Sequence, residues 1–104
     1  MTDIFCKIIA GEIPSTTIAE GEDWIAIYDI HPKAPVHALV IPKKHVEFQD
    51  VDATLAGTLL LGVWEIAQKL GIDKNGFRVM INHGEHGSQE VPHLHLHILG
   101  GKKL

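Results

Sequence analysis

The sequence predicts an α+β fold, with a largely antiparallel sheet and helices against one face. Three observations carry this prediction. Segments of β-type composition follow one another with little more than turns between them. One long helix-periodic segment precedes the last two of them, and a glycine-bearing polar loop joins those two. A doubly wound parallel sheet would need more crossover helices than the chain supplies.

Each element has a local reason. Residues 4–10, IFCKIIA, are apolar at Ile4, Phe5, Ile8 and Ile9, a helical spacing closed by Gly11 and Pro14. TTIAE at 16–20 reads as an edge strand punctuated by Gly21, and WIAIYDI at 24–30 as a buried strand. HPKAP at 31–35 holds two prolines and forms a turn, after which VHALVIP at 36–42 is a strand stopped by Pro42. From Asp52 to Leu70 apolar residues recur at 55, 56, 59, 60, 63, 66, 67 and 70, with Asp52 as N-cap and Gly71 as the stop. FRVMIN at 77–82 is the next strand, HGEHGSQE at 83–90 a polar loop, and PHLHLHILG at 92–100 the final strand.

Bulk properties narrow the function. A chain of 104 residues is one domain, 1–104, with one modest core. The net charge of −4 argues against a protein built to neutralise nucleic-acid backbones. The N-terminal residues lack the basic flank and apolar run of a signal peptide, and no segment is apolar for long enough to span a membrane. A single cysteine, Cys6, fits a reducing compartment, so a cytoplasmic protein is expected.

The chemistry concentrates in VPHLHLHILGG at 91–101. In a strand His93, His95 and His97 share one face while Leu94, Leu96 and Ile98 line the other and hold the core. Three readings stand for the histidine face. It is polar and internally satisfied, or two of its imidazoles meet a metal, or one imidazole is a nucleophile. All three histidines cannot easily meet one ion, because the outer pair spans roughly 13 Å. A neutral imidazole can attack phosphorus or carbon. The loop before it contributes Gly84 and Gly87, whose backbone N–H groups can approach an oxyanion, together with Asn82, Ser88 and Gln89.

HLHLHIL resembles the signature of the histidine-triad superfamily. IFCKIIAGEIP at 4–14, YDIHPKAPVHALVIPKKH at 28–45 and GSQEVPHLHLHILGG at 87–101 resemble the corresponding blocks of its Hint branch. The resemblance implies five antiparallel strands with two helices, and a homodimer with a continuous ten-stranded sheet. It implies cleavage of purine nucleoside 5′-phosphoramidates or aminoacyl adenylates through a covalent nucleotidyl-histidine. By position, His95 matches the nucleophile, His97 the donor to phosphate oxygens, and His93 and His37 two supporting histidines. Asp29 matches the carboxylate that grips the ribose diol, with Ile30 beside it. Ile4, Phe5, Ile8, Ile13 and Ile27 match the walls around the base, and Asn82, Ser88, Gln89 and Glu90 the surroundings of phosphate and leaving group. No cofactor is required by this chemistry, and neither nucleic acid nor membrane is an expected partner.

Three departures from the pattern matter. Some relatives hold zinc on two cysteines spaced by two residues, helped by histidines. Here the first of that pair is Asp3, leaving Asp3, Cys6, His45 and His93 as a mixed ligand set. Glu90 stands where animal relatives have serine, which puts a carboxylate beside the phosphate and favours a cationic leaving group. The tail after the glycines, KKL, is short, which bears on the leaving-group side. His31, His83 and His86 are expected as solvated loop histidines. Two rival functions remain at this level, a dinucleoside polyphosphate hydrolase and a non-catalytic nucleotide-binding interaction protein.

Overall fold

The computed structural model describes residues 3–104. Helix α1, Ile4–Ile9, starts on Asp3, whose Oδ1 accepts the Cys6 N–H at 2.8 Å, and ends at Gly11 with φ +79°. Strands β1 (Thr17–Glu20), β2 (Trp24–Tyr28) and β3 (Val36–Pro42) follow. A short 3-10 turn, Phe48–Asp50, leads into helix α2, Ala53–Lys69, and strands β4 (Arg78–Met80) and β5 (Leu96–Gly100) complete the chain. Asp52 caps α2 through the Leu55 N–H at 2.8 Å. At its other end Gly71 takes φ +72°, while Ile72 N–H and Gly71 N–H close on the carbonyls of Ala67 and Gln68. That closure satisfies carbonyls the helix leaves open.

The five strands form one sheet in the order β1-β2-β3-β5-β4, and every adjacent pair is antiparallel. This is the α+β architecture the sequence predicts, with one difference. The helices lie on opposite faces, not on one. Trp24 and Ala26 of β2, Ala38 and Val40 of β3 and Leu96 and Ile98 of β5 pack with Leu59, Val63, Ile66 and Ala67 of α2. Ile25, Ile27, Leu39 and Ile41 point the other way and meet Phe5, Ile8 and Ile9 of α1. The strand WIAIY is apolar at both parities, so each of its faces needs a cover.

Strand β5 is shorter than its alternating pattern implies, beginning at Leu96 instead of residue 92. Pro42 ends β3 and Pro92 precedes the histidines, so neither supplies the N–H that the ladder would need there. The chain bends instead: His93 N–H bonds Val91 O at 2.8 Å and Leu94 N–H bonds Val46 O at 2.8 Å. Only His97 of the three histidines therefore lies within a paired strand, opposite Leu39 on β3 and Met80 on β4.

Candidate functional site

A cavity of about 290 Å³ opens on the α1 face of the sheet. Its floor is His37 from β3, His97 from β5 and His95 from the bend before it. The β2–β3 turn supplies Asp29, His31 and Lys33 on one side, and the end of β4 with its following loop supplies Met80, Asn82, Ser88 and Glu90 on the other. Of the sequence-predicted residues, the fold brings together His95, His97, His37, Asp29, Asn82, Ser88 and Glu90.

The others lie elsewhere. His93 is fully buried behind His95. Phe5 packs its edge against both rings, with centroids 5.8 Å from His93 and 4.9 Å from His95. Ile8 and Ile27 belong to the core beneath α1, Ile13 is half-buried, and Ile4 and Ile30 are exposed, Ile30 at 81%. Gln89 braces the loop, its Oε1 accepting from Gly84 N–H at 2.9 Å and its Nε2 donating to Val91 O at 3.0 Å. His31 is an exposed loop histidine, as expected, and it also lines the cavity, as do Lys33 and Met80, to which the sequence assigns no role. The signal for the first two is their place between Asp29 and His37, both candidate site residues by sequence.

Donor-only and acceptor-only partners fix the imidazole tautomers. His95 Nδ1 lies 2.8 Å from the carbonyl of His93, which can only accept, so Nδ1 carries the proton and Nε2 keeps its lone pair. His37 Nδ1 accepts the backbone N–H of Lys33 at 3.0 Å, so its proton sits on Nε2 and is donated to His97 Nδ1 at 2.9 Å. His97 must then carry its own proton on Nε2. The floor thus offers one lone pair, on His95, beside one N–H, on His97, with ring centroids 5.0 Å apart.

Burial keeps these rings neutral. It pushes His97 down to about 4, helped by the neighbouring His95 and His37. Burial also lowers His95, against the upward pull of its bond to the His93 carbonyl. His37 is lowered by the same cause, against the pull of Asp29, whose Oδ2 is 3.5 Å from its Nε2. The other oxygen of Asp29 accepts His31 N–H at 2.7 Å.

The glycine-bearing loop differs from the expected anion cradle. The amides of Gly84, Gly87, Ser88 and Gln89 are all consumed within the loop, by Gln89 Oε1, Gly84 O, Glu85 O and Gly84 O respectively. Gly87 is there for space: a Cβ would sit 2.3 Å from the carbonyl oxygen of His83. The donors left for an anion are side chains. Asn82 bonds Gly87 O at 2.8 Å through Nδ2, which holds a second hydrogen, and Ser88 adopts φ +58° at the cavity wall.

A second set of polar side chains lies behind the floor. Asp3, Cys6, His45 and His93, which the sequence reading named as a mixed ligand set, converge so that one donor atom from each lies within 4.8 Å of the others. His93 Nε2 donates to Pro42 O at 2.9 Å, and its Nδ1 faces Asp3 Oδ2 at 3.2 Å and Cys6 Sγ at 3.6 Å. His45 Nδ1 lies 2.9 Å from Asp3 Oδ2 and 3.3 Å from Cys6 Sγ. Imidazole nitrogen, thiolate and carboxylate together are a donor set that zinc accepts, so these residues fit the ion carried by some relatives.

Comparisons with known proteins bear on the family and the fold. The HIT domain profile matches residues 10–104. An "uncharacterized HIT-like protein" of Helicobacter pylori is 45% identical over 102 residues, covering 97% of this chain and 98% of that one. Among solved structures, a HIT family hydrolase from Legionella pneumophila superposes with a TM-score of 0.93 at 42% identity, covering 98% of this chain and 95% of its own. A histidine triad nucleotide-binding protein from Candida albicans superposes with a TM-score of 0.87 at 35% identity, covering 93% and 73%.

Proposed function

This chain belongs to the HIT domain family, and from that premise we propose that it is a nucleotide hydrolase of the Hint kind. It cleaves the P–N bond of purine nucleoside 5′-phosphoramidates and releases the nucleoside monophosphate. The observation that carries the reading is the pairing of an unprotonated His95 Nε2 with a proton-bearing His97 Nε2 at the floor of one cavity. A nucleophile and an oxyanion donor, held as neutral groups by burial, are what in-line displacement at phosphorus asks of a protein. The hydrolase and nucleotide-binding relatives support the same class of chemistry.

In this mechanism His95 Nε2 attacks the α-phosphorus while the P–N bond breaks on the opposite side, the departing amine taking a proton from solvent at the open mouth of the cavity, which the hydrolytic water later returns. His97 Nε2–H, with Asn82 Nδ2 and the Ser88 hydroxyl, stabilises the charge that grows on the non-bridging oxygens. Water then hydrolyses the nucleotidyl-histidine and returns His95 to its starting form. His95 Nδ1–H stays on the His93 carbonyl throughout and disperses the positive charge the ring acquires. Asp29 keeps one oxygen for a ribose hydroxyl, and the exposed Ile30 next to it offers the base an apolar surface. Glu90 at the rim faces the departing amine. Any ion held by Asp3, Cys6, His45 and His93 would supply structural cross-linking behind the floor.

The working form is a cytoplasmic homodimer of one HIT domain, 1–104, acting on neither nucleic acid nor membrane. No helix among the described residues is long and apolar enough to cross a membrane. Support for the dimer comes from the edge position of β4 and from exposed apolar side chains near it: Val79 and Ile81, with Leu60, Leu61 and Trp64 on α2. Joining two β4 edges would continue the sheet to ten strands.

The test supplies adenosine 5′-phosphoramidate and follows AMP release. Wild type should turn over and form a nucleotidyl adduct at His95 that mass spectrometry locates, and His95→Ala should do neither. Equal release by both proteins, or AMP binding without release by either, would remove the enzymatic reading. Cleavage confined to dinucleoside polyphosphates would replace the substrate class.

A further inference from the structure

The cavity above the histidine floor carries an unbalanced set of charges. Its lining includes two carboxylates, Asp29 and Glu90, and one permanent cation, Lys33. Burial keeps the rings of His37, His95 and His97 neutral. The loop amides that could have faced an anion are bonded within their own loop. Asn82, Ser88 and His97 offer hydrogens without net charge. A phosphoryl group brings a further negative charge against the two carboxylates, so a site of this composition repels its ligand unless Lys33 meets it.

Lys33 is placed to do so. Among the described residues every ion pair lies elsewhere, and no carboxylate holds its ammonium. Its side chain is exposed, whereas its main chain is fixed. The Lys33 N–H donates to His37 Nδ1 at 3.0 Å, and Asp29 N–H closes the same turn on His37 O at 3.0 Å. Pro32 and Pro35 restrict the backbone on either side. The chain after β5 backs the turn, since a Cβ on Gly101 would stand 3.0 Å from Pro35 Cβ. The stem therefore leaves a rigid base at the cavity wall, and its four carbons let the ammonium swing over the floor. Its charge already acts there: after burial, it is among the influences that hold His37 and His97 unprotonated.

We propose that Lys33 is the phosphate-binding cation of this site. Its ammonium closes on a non-bridging oxygen of the α-phosphoryl group from the turn side, while His97 Nε2–H holds another. The assignment rests on the nucleotide chemistry proposed above and adds a residue to it. Negative charge sits on those oxygens before and during the displacement, so the lysine contributes to binding more than to kcat.

The test measures binding of the product AMP to the full chain by calorimetry, beside adenosine as a ligand without the phosphate. Lys33→Gln keeps the bond to His37, because the main chain makes that contact. It should bind AMP about tenfold more weakly and adenosine within about twofold of wild type. Lys33→Arg should restore most of the AMP affinity, since it restores the charge. As salt rises, wild-type affinity for AMP should fall more steeply than that of Lys33→Gln. With adenosine 5′-phosphoramidate the Lys33→Gln loss should appear in KM, with kcat changed less than about threefold, the reverse of a disturbed His37. Equal weakening for AMP and adenosine, an AMP affinity unchanged in Lys33→Gln, or a defect confined to kcat would each overturn the assignment. Lysine-dependent AMP binding without turnover would uphold it and remove the hydrolase reading. A wild type that binds no AMP would overturn both.

Discussion

Replacing His37 by alanine tests the proton arrangement on which the proposed chemistry depends. His37 touches no reacting atom; it is a positioning residue that donates Nε2–H to His97 at 2.9 Å because the Lys33 N–H already occupies its other nitrogen. Without it the proton of His97 is free to move to Nδ1, and Nε2 then presents a lone pair to a phosphate oxygen where it had presented a hydrogen. Removing one such donor costs about 2.7–4 kcal/mol, or about 10²–10³ in kcat. The expected loss is at the lower end, about 10²-fold, because His97 can still sample the productive tautomer. The alanine also strands the Lys33 N–H and opens a void at a site only 3% exposed. A stability loss of about 2 kcal/mol should accompany it, and assays belong well below the melting midpoint. The control is His37→Gln, whose amide can accept from Lys33 and donate to His97. Kinetics with adenosine 5′-phosphoramidate should place the glutamine variant within about tenfold of wild type, with the alanine defect mainly in kcat. A kcat/KM for His37→Ala within threefold of wild type, or a glutamine variant no better than alanine, would refute the relay.

Further predictions concern pH, packing and assembly. His95 is held below its ordinary value, so the acid limb of kcat/KM should have its midpoint under 6.5; a midpoint above that value contradicts the burial argument. For stability the unfolded chain binds more protons than the fold wherever pH lies between the unfolded 6.5 and the folded value. The contribution of His97 is therefore complete above 6.5 and lost as pH falls towards about 4, which urea midpoints across that window measure. Gly62→Ala would bring a Cβ to 2.8 Å from the Trp24 ring and should cost about 1–3 kcal/mol, read as a lowered denaturant midpoint at unchanged slope. Leu61→Glu puts a charge on an α2 side chain that is 73% exposed, so it should spare the fold yet shift sedimentation towards monomer if α2 is an interface.

What the sequence showed plainly was whatever rests on neighbours along the chain. Asp52 and Gly71 bound α2 because caps are local chemistry, and the two helices and five strands were legible from periodicity and turn residues. The alternation in HLHLHIL did send Leu94, Leu96 and Ile98 to the core. The strand predicted around it extends too far because a side-chain pattern does not reveal that Pro92 at its own start and Pro42 on the neighbouring strand lack donors. The placement of both helices on one face was wrong although the correction was present in WIAIY, whose two apolar parities demand two covers. In the site, the histidines stood out by their spacing, whereas His31 and Lys33 reach the cavity only through the path of the β2–β3 turn. The amides of the glycine loop looked available in one dimension and are already bonded in three.

Helix α1 has six residues, fewer than an isolated helix needs to persist in water. It survives by lying on Ile25, Ile27, Leu39 and Ile41, and it is also the roof over the back of His93 and His95. Such a piece opens as a unit, at lower free energy than the sheet beneath it. Amide exchange should therefore be fastest in the one element whose departure would let water reach the reverse side of the His93 and His95 rings. Fluctuations of a single short turn of chain would then govern how long the reactive floor stays assembled.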